Sequence, residues 1–225
     1  MSDILVIGDL HFPFHHKRAY GKLLRRLKTK KFDYIIQIGD LYDQYAFSKY
    51  PKSHLTTPQE ELKKARSCAE KMWALIGKYQ KHAKKYQILG NHDIRILKRV
   101  QESLPEVQEM VSTFFKDLYK FKGVKTIIDP REPLIIKDIM FIHGYKSKNG
   151  DHTRFMHMNV VHGHRHRGEI SFVPIKGKTL WELDCGYLAD FRHIALSYSE
   201  SKITNWTLGH AEIENGVPRF VPYSV

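Results

Sequence analysis

Residues 34–43, Tyr34-Ile35-Ile36-Gln37-Ile38-Gly39-Asp40-Leu41-Tyr42-Asp43, hold the pattern on which the fold turns: a short apolar run, then glycine, then carboxylates. An apolar run bounded by a turn signal is how a strand buried on both faces reads, as the strands of a parallel sheet are. The glycine lets the backbone leave the strand sharply and puts the next polar side chain at the strand tip. The same arrangement stands upstream, where Ile4-Leu5-Val6-Ile7-Gly8 leads into Asp9-Leu10-His11. It recurs downstream, where Tyr86-Gln87-Ile88-Leu89 leads into Gly90-Asn91-His92-Asp93.

Between these runs the period becomes helical. Residues 17–31 place Leu23, Leu24 and Leu27 at helix spacing. Thr57-Pro58-Gln59-Glu60 joins an N-capping Thr, a first-turn Pro and a Glu set to complete a capping box. It opens a helix over 58–84 whose apolar face holds Leu62, Ala65, Ala69, Trp73, Ile76 and Ala83, which makes Trp73 a core residue. Two shorter helices fit 94–120, divided at Pro105. After Gly123 come short strands at 124–128, 134–137, 139–142, 160–162, 170–174, 179–183, 206–213 and 218–222, with hairpin turns at Lys176-Gly177 and Glu214-Asn215-Gly216. A strand–helix front half and a strand-rich back half predict an α/β fold of two packed sheets with helices outside. No linker, repeat or low-complexity tract divides the chain, so 1–225 reads as one domain.

Five polar clusters fall at strand ends, where ligands gather in open α/β sheets. They are Asp9-Leu10-His11, Gly39–Asp43, Gly90–Asp93, His143-Gly144 and Gly163-His164-Arg165-His166. Asp, Asn and His are hard-to-borderline donors that suit divalent Mn, Fe, Zn or Ni better than a thiolate-loving metal. There are enough of them for two ions, and a metal pair can polarise a phosphoryl oxygen, clamp the ester and generate hydroxide. One such cluster is commonplace, and a lone histidine is more often a hydrogen-bonded core residue. Five clusters in this order are not accidental.

The order DxH, GDxxD, GNH(D/E), H, GHxH resembles that of the calcineurin-like metallophosphoesterase superfamily, over nearly the whole chain. The opening Asp9-Leu10-His11-Phe12-Pro13-Phe14-His15 and the late Trp206-Thr207-Leu208-Gly209 resemble its small single-domain members from bacteria and their phages. The resemblance implies a four-layer α/β/β/α sandwich with a dimetal site at the strand ends. It implies Asp9, His11 and His166 as ligands of one metal, Asn91, His143 and His164 of the other, and Asp40 as the bridge. A hydroxide held between the metals would attack phosphorus. By the same likeness His92 protonates or stabilises the leaving oxygen, Asp93 orients His92, and Asp43 supports a ligand.

Two departures bear on substrate. Gln44 stands where the protein-phosphatase branch has Arg, which argues against phosphoprotein substrates. Only 20 residues separate His143 from His164, a spacing that predicts the loss of a surface helix. Arg95 is a candidate supporting or substrate-binding residue, and Arg165 either faces the phosphate or makes a structural ion pair. His15 and His16 read as solvated loop residues more than substrate contacts, and His162 as turned away from the metals. Tyr42, Tyr45, Phe47 and Tyr50, interleaved with Lys49 and Lys52, read as a substrate wall or a packed loop.

The 225 residues have a formal net charge of +13, with 14 His and 2 Cys. From Leu10 to Phe32 the cations Lys17, Arg18, Lys22, Arg25, Arg26, Lys28, Lys30 and Lys31 occur with no acid. Such a field favours an anionic partner, a nucleic acid or nucleotide. The expected activity is therefore metal-dependent hydrolysis of a nucleic-acid or nucleotide phosphodiester, nuclease-like, with Mn²⁺ the first candidate and Mg²⁺ also open. Alternatives are a phosphomonoesterase or cyclic-nucleotide phosphodiesterase acting on small molecules, and a nucleic-acid-binding scaffold that keeps its metals without turnover. Cys68 and Cys185 are isolated, which excludes a disulfide framework and a structural zinc knuckle. No apolar run is long enough to span a bilayer, and residues 1–8 lack signal-peptide character. The expected compartment is the reducing cytoplasm, that of the host if a phage encodes the chain.

Overall fold

A computed structural model describes residues 2–49, 57–193 and 205–224. Strands β1 (Ile4–Ile7), β2 (Tyr34–Gln37), β3 (Lys84–Ile88) and β4 (Val124–Ile127) run parallel, with Ile4 opposite Tyr34 and Tyr34 opposite Lys84. A second sheet comprises β5 (Leu134–Ile136), β6 (Ile139–Ile142), β7 (Asn159–His162), β8 (Ile170–Ile175) and β9 (Lys178–Asp184), in the order β5-β6-β7-β9-β8. The hairpin β10 (Gly209–Glu214) and β11 (Val217–Pro222) returns to the first sheet and pairs antiparallel with β1, giving β11-β10-β1-β2-β3-β4.

The layers follow from residue alternation. In β1, Leu5 and Ile7 face a core with Leu23 and Leu27 of α1 (Lys17–Thr29) and Ala65, Ala69, Met72 and Trp73 of α2 (Pro58–Tyr79). Ile4 and Val6 point the other way, against Phe141, Val161 and Leu183 of the second sheet. Both faces are buried, which is why the strand shows no polar alternation. Each fully buried aliphatic here contributes roughly 1.5–3 kcal/mol over exposure. Trp73 belongs to this core and donates its indole N–H to Gln87.

Several element boundaries shift by a few residues, and two differences from expectation bear on the architecture. Helix α2 opens on the Thr57–Glu60 capping box but ends at Tyr79, short of residue 84. The Gln80 amide donates to the carbonyls of Leu27 and Lys30 and accepts from Phe32 N–H, so the chain is tied down there and Lys84 is free to start β3. The interval 144–163, expected to lack a helix, holds the six-residue α5 (Asp151–Met156). Met140, Ile142 and Val160 pack with Met156 beneath it. The architecture is thus α/β/β/α, its fourth layer reduced to this one short helix among the described residues. Helices α3 (Arg95–Ser103) and α4 (Gln108–Leu118) follow β3, separated at Pro105. No helix among the described residues is long and apolar enough to cross a membrane.

Candidate metal centre

The loops that leave β1, β2, β3, β6 and β7 converge at one edge of the two sheets. Nitrogen and oxygen atoms of Asp9, His11 and His166 lie within 4.8 Å of one another, as do those of Asp40, His143 and His164. Asn91 Oδ1 joins the second group, 3.0 Å from His143 Nε2 and 2.9 Å from His164 Nδ1. Asp40 stands between the groups, with Oδ2 3.3 Å from His143 Nε2 and 3.9 Å from His11 Nε2. All seven residues expected as ligands are brought together.

The backbone is bent to achieve this. His11, Asp40, His164 and His166 have φ of 48°, 49°, 68° and 63°. A left-handed conformation at a non-glycine residue costs energy and persists where surrounding structure enforces it, typically at functional sites. Gly90 and Gly163 are set by close approach: a Cβ at Gly90 would overlap the Asp40 carboxylate, and one at Gly163 the Asp9 carboxylate.

The donor set fits divalent cations. His11 Nδ1–H donates to Asp43 Oδ1 at 2.8 Å and His143 Nδ1–H to the Ile38 carbonyl at 3.1 Å, so both rings turn an Nε2 lone pair inward. His11 Nε2 and Asp9 Oδ1 are buried without a hydrogen-bond partner. His143 Nε2 faces two acceptors, Asn91 Oδ1 and Asp40 Oδ2. Converging buried lone pairs are costly unless a cation meets them. With only a proton available, burial disfavours the His143 imidazolium, yet the charges of Asp40 and Asp9 prevail and push it up to about 10. For His164, burial and then the charge of His143 depress the ring to about 4, which keeps it in the neutral form that a metal could accept as a donor.

The groups around His92 correct one expectation. Asp43 Oδ1 accepts both His11 Nδ1–H at 2.8 Å and His92 Nδ1–H at 2.9 Å, so Asp43, not Asp93, orients His92. Asp93 instead accepts from the backbone N–H groups of Leu41 (3.2 Å), Tyr42 (2.9 Å) and Gly90 (2.8 Å) and from the Tyr119 hydroxyl (2.9 Å). It clasps two ligand loops together. Burial, then the Asp40 charge, raises Asp93 to about 7. His92 Nε2 lies 3.0 Å from Arg95 Nη2, and Arg95 Nη1 donates to the Asp43 carbonyl at 2.9 Å. A guanidinium only donates, so His92 Nε2 holds its lone pair and the ring is neutral. Burial lowers its basicity in the same direction.

Other candidates lie elsewhere. Tyr42 is no substrate wall: it is fully buried, stacks obliquely on Tyr119 and donates its hydroxyl to the Leu118 carbonyl. Tyr50 and Lys52 fall outside the described residues. Arg165 turns away from the site, bonded to Asn149 and Glu169 and 3.8 Å from carboxylate oxygens of Glu182 and Asp184. His15 is half-buried, its ring edge-on to Phe12 and Tyr20 rather than solvated. His162 packs 4.5 Å from His152 and 3.2 Å from Glu182 on the far side of its strand. His152 Nε2 accepts from the N–H groups of Tyr145 and Lys146, so its Nδ1–H faces Glu182 and that trio is a structural bond network. Sequence reasoning missed Glu61 and Tyr119. Glu61 accepts from Tyr45 N–H (2.7 Å) and Ala46 N–H (2.9 Å), which fixes the loop after Asp43. Both residues act across long sequence separations, and no local pattern marks them.

The calcineurin-like phosphoesterase family profile matches residues 2–215. The Gene 54 protein of Mycobacterium phage L5 is 25% identical over 229 residues, covering 92% of this chain and 87% of its own. The Gene 54 protein of Mycobacterium phage D29 is 24% identical over 228 residues, covering 92% and 86%. Among solved structures, a single mutant of Vps29 from Entamoeba histolytica is 14% identical, with 99% of each chain covered and a TM-score of 0.46. Chaetomium thermophilum Vps29 is 12% identical, with 100% of this chain and 95% of that one covered and a TM-score of 0.43. With the family profile spanning almost the full length and the ligand clusters at the strand ends, the protein belongs to the calcineurin-like phosphoesterase family, hydrolases of phosphate esters.

Proposed function

We propose that the protein is a dimetal phosphodiesterase whose substrate is a nucleic acid or nucleotide. The observation behind the substrate class is the stretch from Leu10 to Phe32, eight cations and no acid, which begins beside the ligand His11 in a chain of net charge +13. Asp9, His11 and His166 would hold one divalent ion and Asn91, His143 and His164 the other, with Asp40 placed to serve both; manganese is the first candidate, and availability decides among Mn, Fe, Zn, Ni and Mg. When bound, the ions supply Lewis acidity and bring the pKa of water toward neutrality.

The chain supplies the rest. Asp43 fixes the tautomers of His11 and His92 together, so the metal-facing nitrogen of one and the substrate-facing nitrogen of the other are set by a single carboxylate. His92 Nε2, which lies 4.0 Å from Asp40 Oδ2, carries a lone pair here; once substrate displaces Arg95 from it, that nitrogen takes up a proton from solvent and passes it to the leaving oxygen. Arg95 covers that nitrogen in this structure and offers its guanidinium to a phosphate oxygen when substrate displaces it. The similarity to two phage proteins supports action in a host cytoplasm.

The test is a panel on metal-depleted protein reloaded with Mn²⁺: single- and double-stranded DNA, a mononucleotide, and chromogenic mono- and diesters. DNA turnover should exceed that of the chromogenic monoester and fall steeply with added salt. Equal turnover of every substrate, indifferent to salt, overturns the reading.

A further inference from the structure

We infer that a cationic cavity beside the His11 turn is a second phosphate subsite, which takes a phosphate adjacent to the reacting one on a polynucleotide. The inference rests on the dimetal phosphodiesterase reading above and narrows its substrate to an oligomer. The cavity has a volume of about 560 Å³ and is walled by two segments, residues 13–18 and residues 190–193. Its cations are Lys17, Arg18 and Arg192, all exposed, and none of them pairs with a carboxylate among the described residues. Asp190, the acid in the described lining, is already engaged, accepting the backbone N–H of Arg192 at 3.1 Å.

Three features point to a phosphate of the same substrate. The first is position. Phe14 N–H donates to the His11 carbonyl at 2.7 Å, which closes a turn whose ends lie within about 7 Å. The other wall is tied to the same place: Leu188 N–H donates to the Asp9 carbonyl at 2.8 Å and Asp190 N–H to the Phe14 carbonyl at 2.8 Å. The cavity therefore starts one turn from two ligands of the first metal cluster, within reach of a neighbouring nucleotide.

The second feature is an uncompensated local cost. Lys17 and Arg18 are the first two residues of α1, whose first turn holds no acid. Cations there oppose the helix dipole, and an anion seated in the cavity relieves that opposition. The third is the wall itself. Phe14 and His193 stack with ring centroids 4.1 Å apart and planes inclined by 23°, a flat surface beside the cations of the kind on which bases stack. A monoester substrate has no second phosphate to place here.

The experiment compares wild type with the triple variant K17A/R18A/R192A, which touches only exposed side chains. Anisotropy of a 5′-labelled single-stranded 12-nucleotide DNA, measured with the protein in chelator, reads binding without turnover. Mn²⁺-loaded protein then gives kcat and KM for that DNA and for bis(p-nitrophenyl) phosphate. The variant should raise Kd and KM for DNA by about tenfold or more and flatten the salt dependence by about one unit of log–log slope. Its kinetics on the small diester should stay within about twofold of wild type. Unchanged DNA binding and KM would overturn the subsite, and so would an equal rise in KM for the small diester, which reports a general field. If wild type cleaves the small diester and no DNA at all, it is the substrate reading under "Proposed function" that fails.

Discussion

Replacing Asp43 by Asn keeps the shape of a buried side chain and takes away its charge, at an oxygen shared by two histidines. Asp43 Oδ1 lies 2.8 Å from His11 Nδ1 and 2.9 Å from His92 Nδ1. Burial alone would raise this carboxyl; the hydrogen bonds from His11 and His92 hold it well below the usual range instead. A hydrogen bond with one ionised partner contributes about 1.5–3 kcal/mol and a neutral one about 0.5–1.5 kcal/mol, so D43N loses about 1–1.5 kcal/mol per histidine. At about 1.4 kcal/mol per decade, that is roughly five- to tenfold on each. The new amide NH₂ adds to the loss, because Asp43 Oδ2 lies 3.6 Å from Arg95 Nη1 and a donor would then face a donor. We expect D43N to bind Mn²⁺ about tenfold more weakly, through His11, and to turn over about tenfold more slowly at saturating metal, through His92, within the range seen for groups that orient ligands. The assay is a Mn²⁺ titration of metal-depleted protein with a chromogenic diester, fitted for metal affinity and limiting kcat separately. D93N serves as the comparator and should lower Tm while leaving limiting kcat closer to wild type. A limiting kcat for D43N equal to wild type, or lower for D93N than for D43N, refutes the assignment of Asp43 to His92.

Four further substitutions test the same structure. H92A should retain its metal ions, counted per chain after gel filtration, and lose about 10²–10⁴-fold in kcat; loss of metal with the rate would place His92 among the ligands. G90A and G163A thrust a methyl against the carboxylates of Asp40 and Asp9 respectively. Each should keep its far-UV circular dichroism yet hold fewer ions per chain, and full metal content in both would show that these close approaches are slack. Glu61 is 2% exposed, and burial raises its carboxyl from 4.5 to about 7 against the pull of the Ala46 N–H bond. A carboxyl raised in the folded state stabilises fully below its unfolded value and loses that contribution as pH climbs through the folded one. Roughly 3 kcal/mol should therefore disappear between about pH 4.5 and 7. E61Q removes this titration, so its Tm should change less than wild type over that window; parallel curves would contradict the placement.

What the sequence determined by itself is local. The runs at 4–7 and 34–37 declare strands because both faces are buried, so they are mostly apolar, Gln37 being the polar exception, and the glycine that follows places Asp9 and Asp40 at the tips. The polar clusters at the strand ends, matched to the motif order of the calcineurin-like family, name the seven side chains that the structure gathers at one edge. Their partners were not legible. Asp93, next to His92 in sequence, was the natural orienter, but the bond runs to Asp43, 49 residues away, because the register of β2 against β3 brings that loop under the ring. Tyr42 looked like an exposed aromatic among cations and is core, because Tyr119 arrives from the end of α4 to cover it. Arg165 sits between His164 and His166, two expected ligands, in sequence and points away from them, drawn by carboxylates on β9. Backbone periodicity and glycine turns are short-range and are written in consecutive residues. Hydrogen-bond and charge pairing among buried side chains is set by which loops the two sheets bring together, and only the tertiary structure decides that.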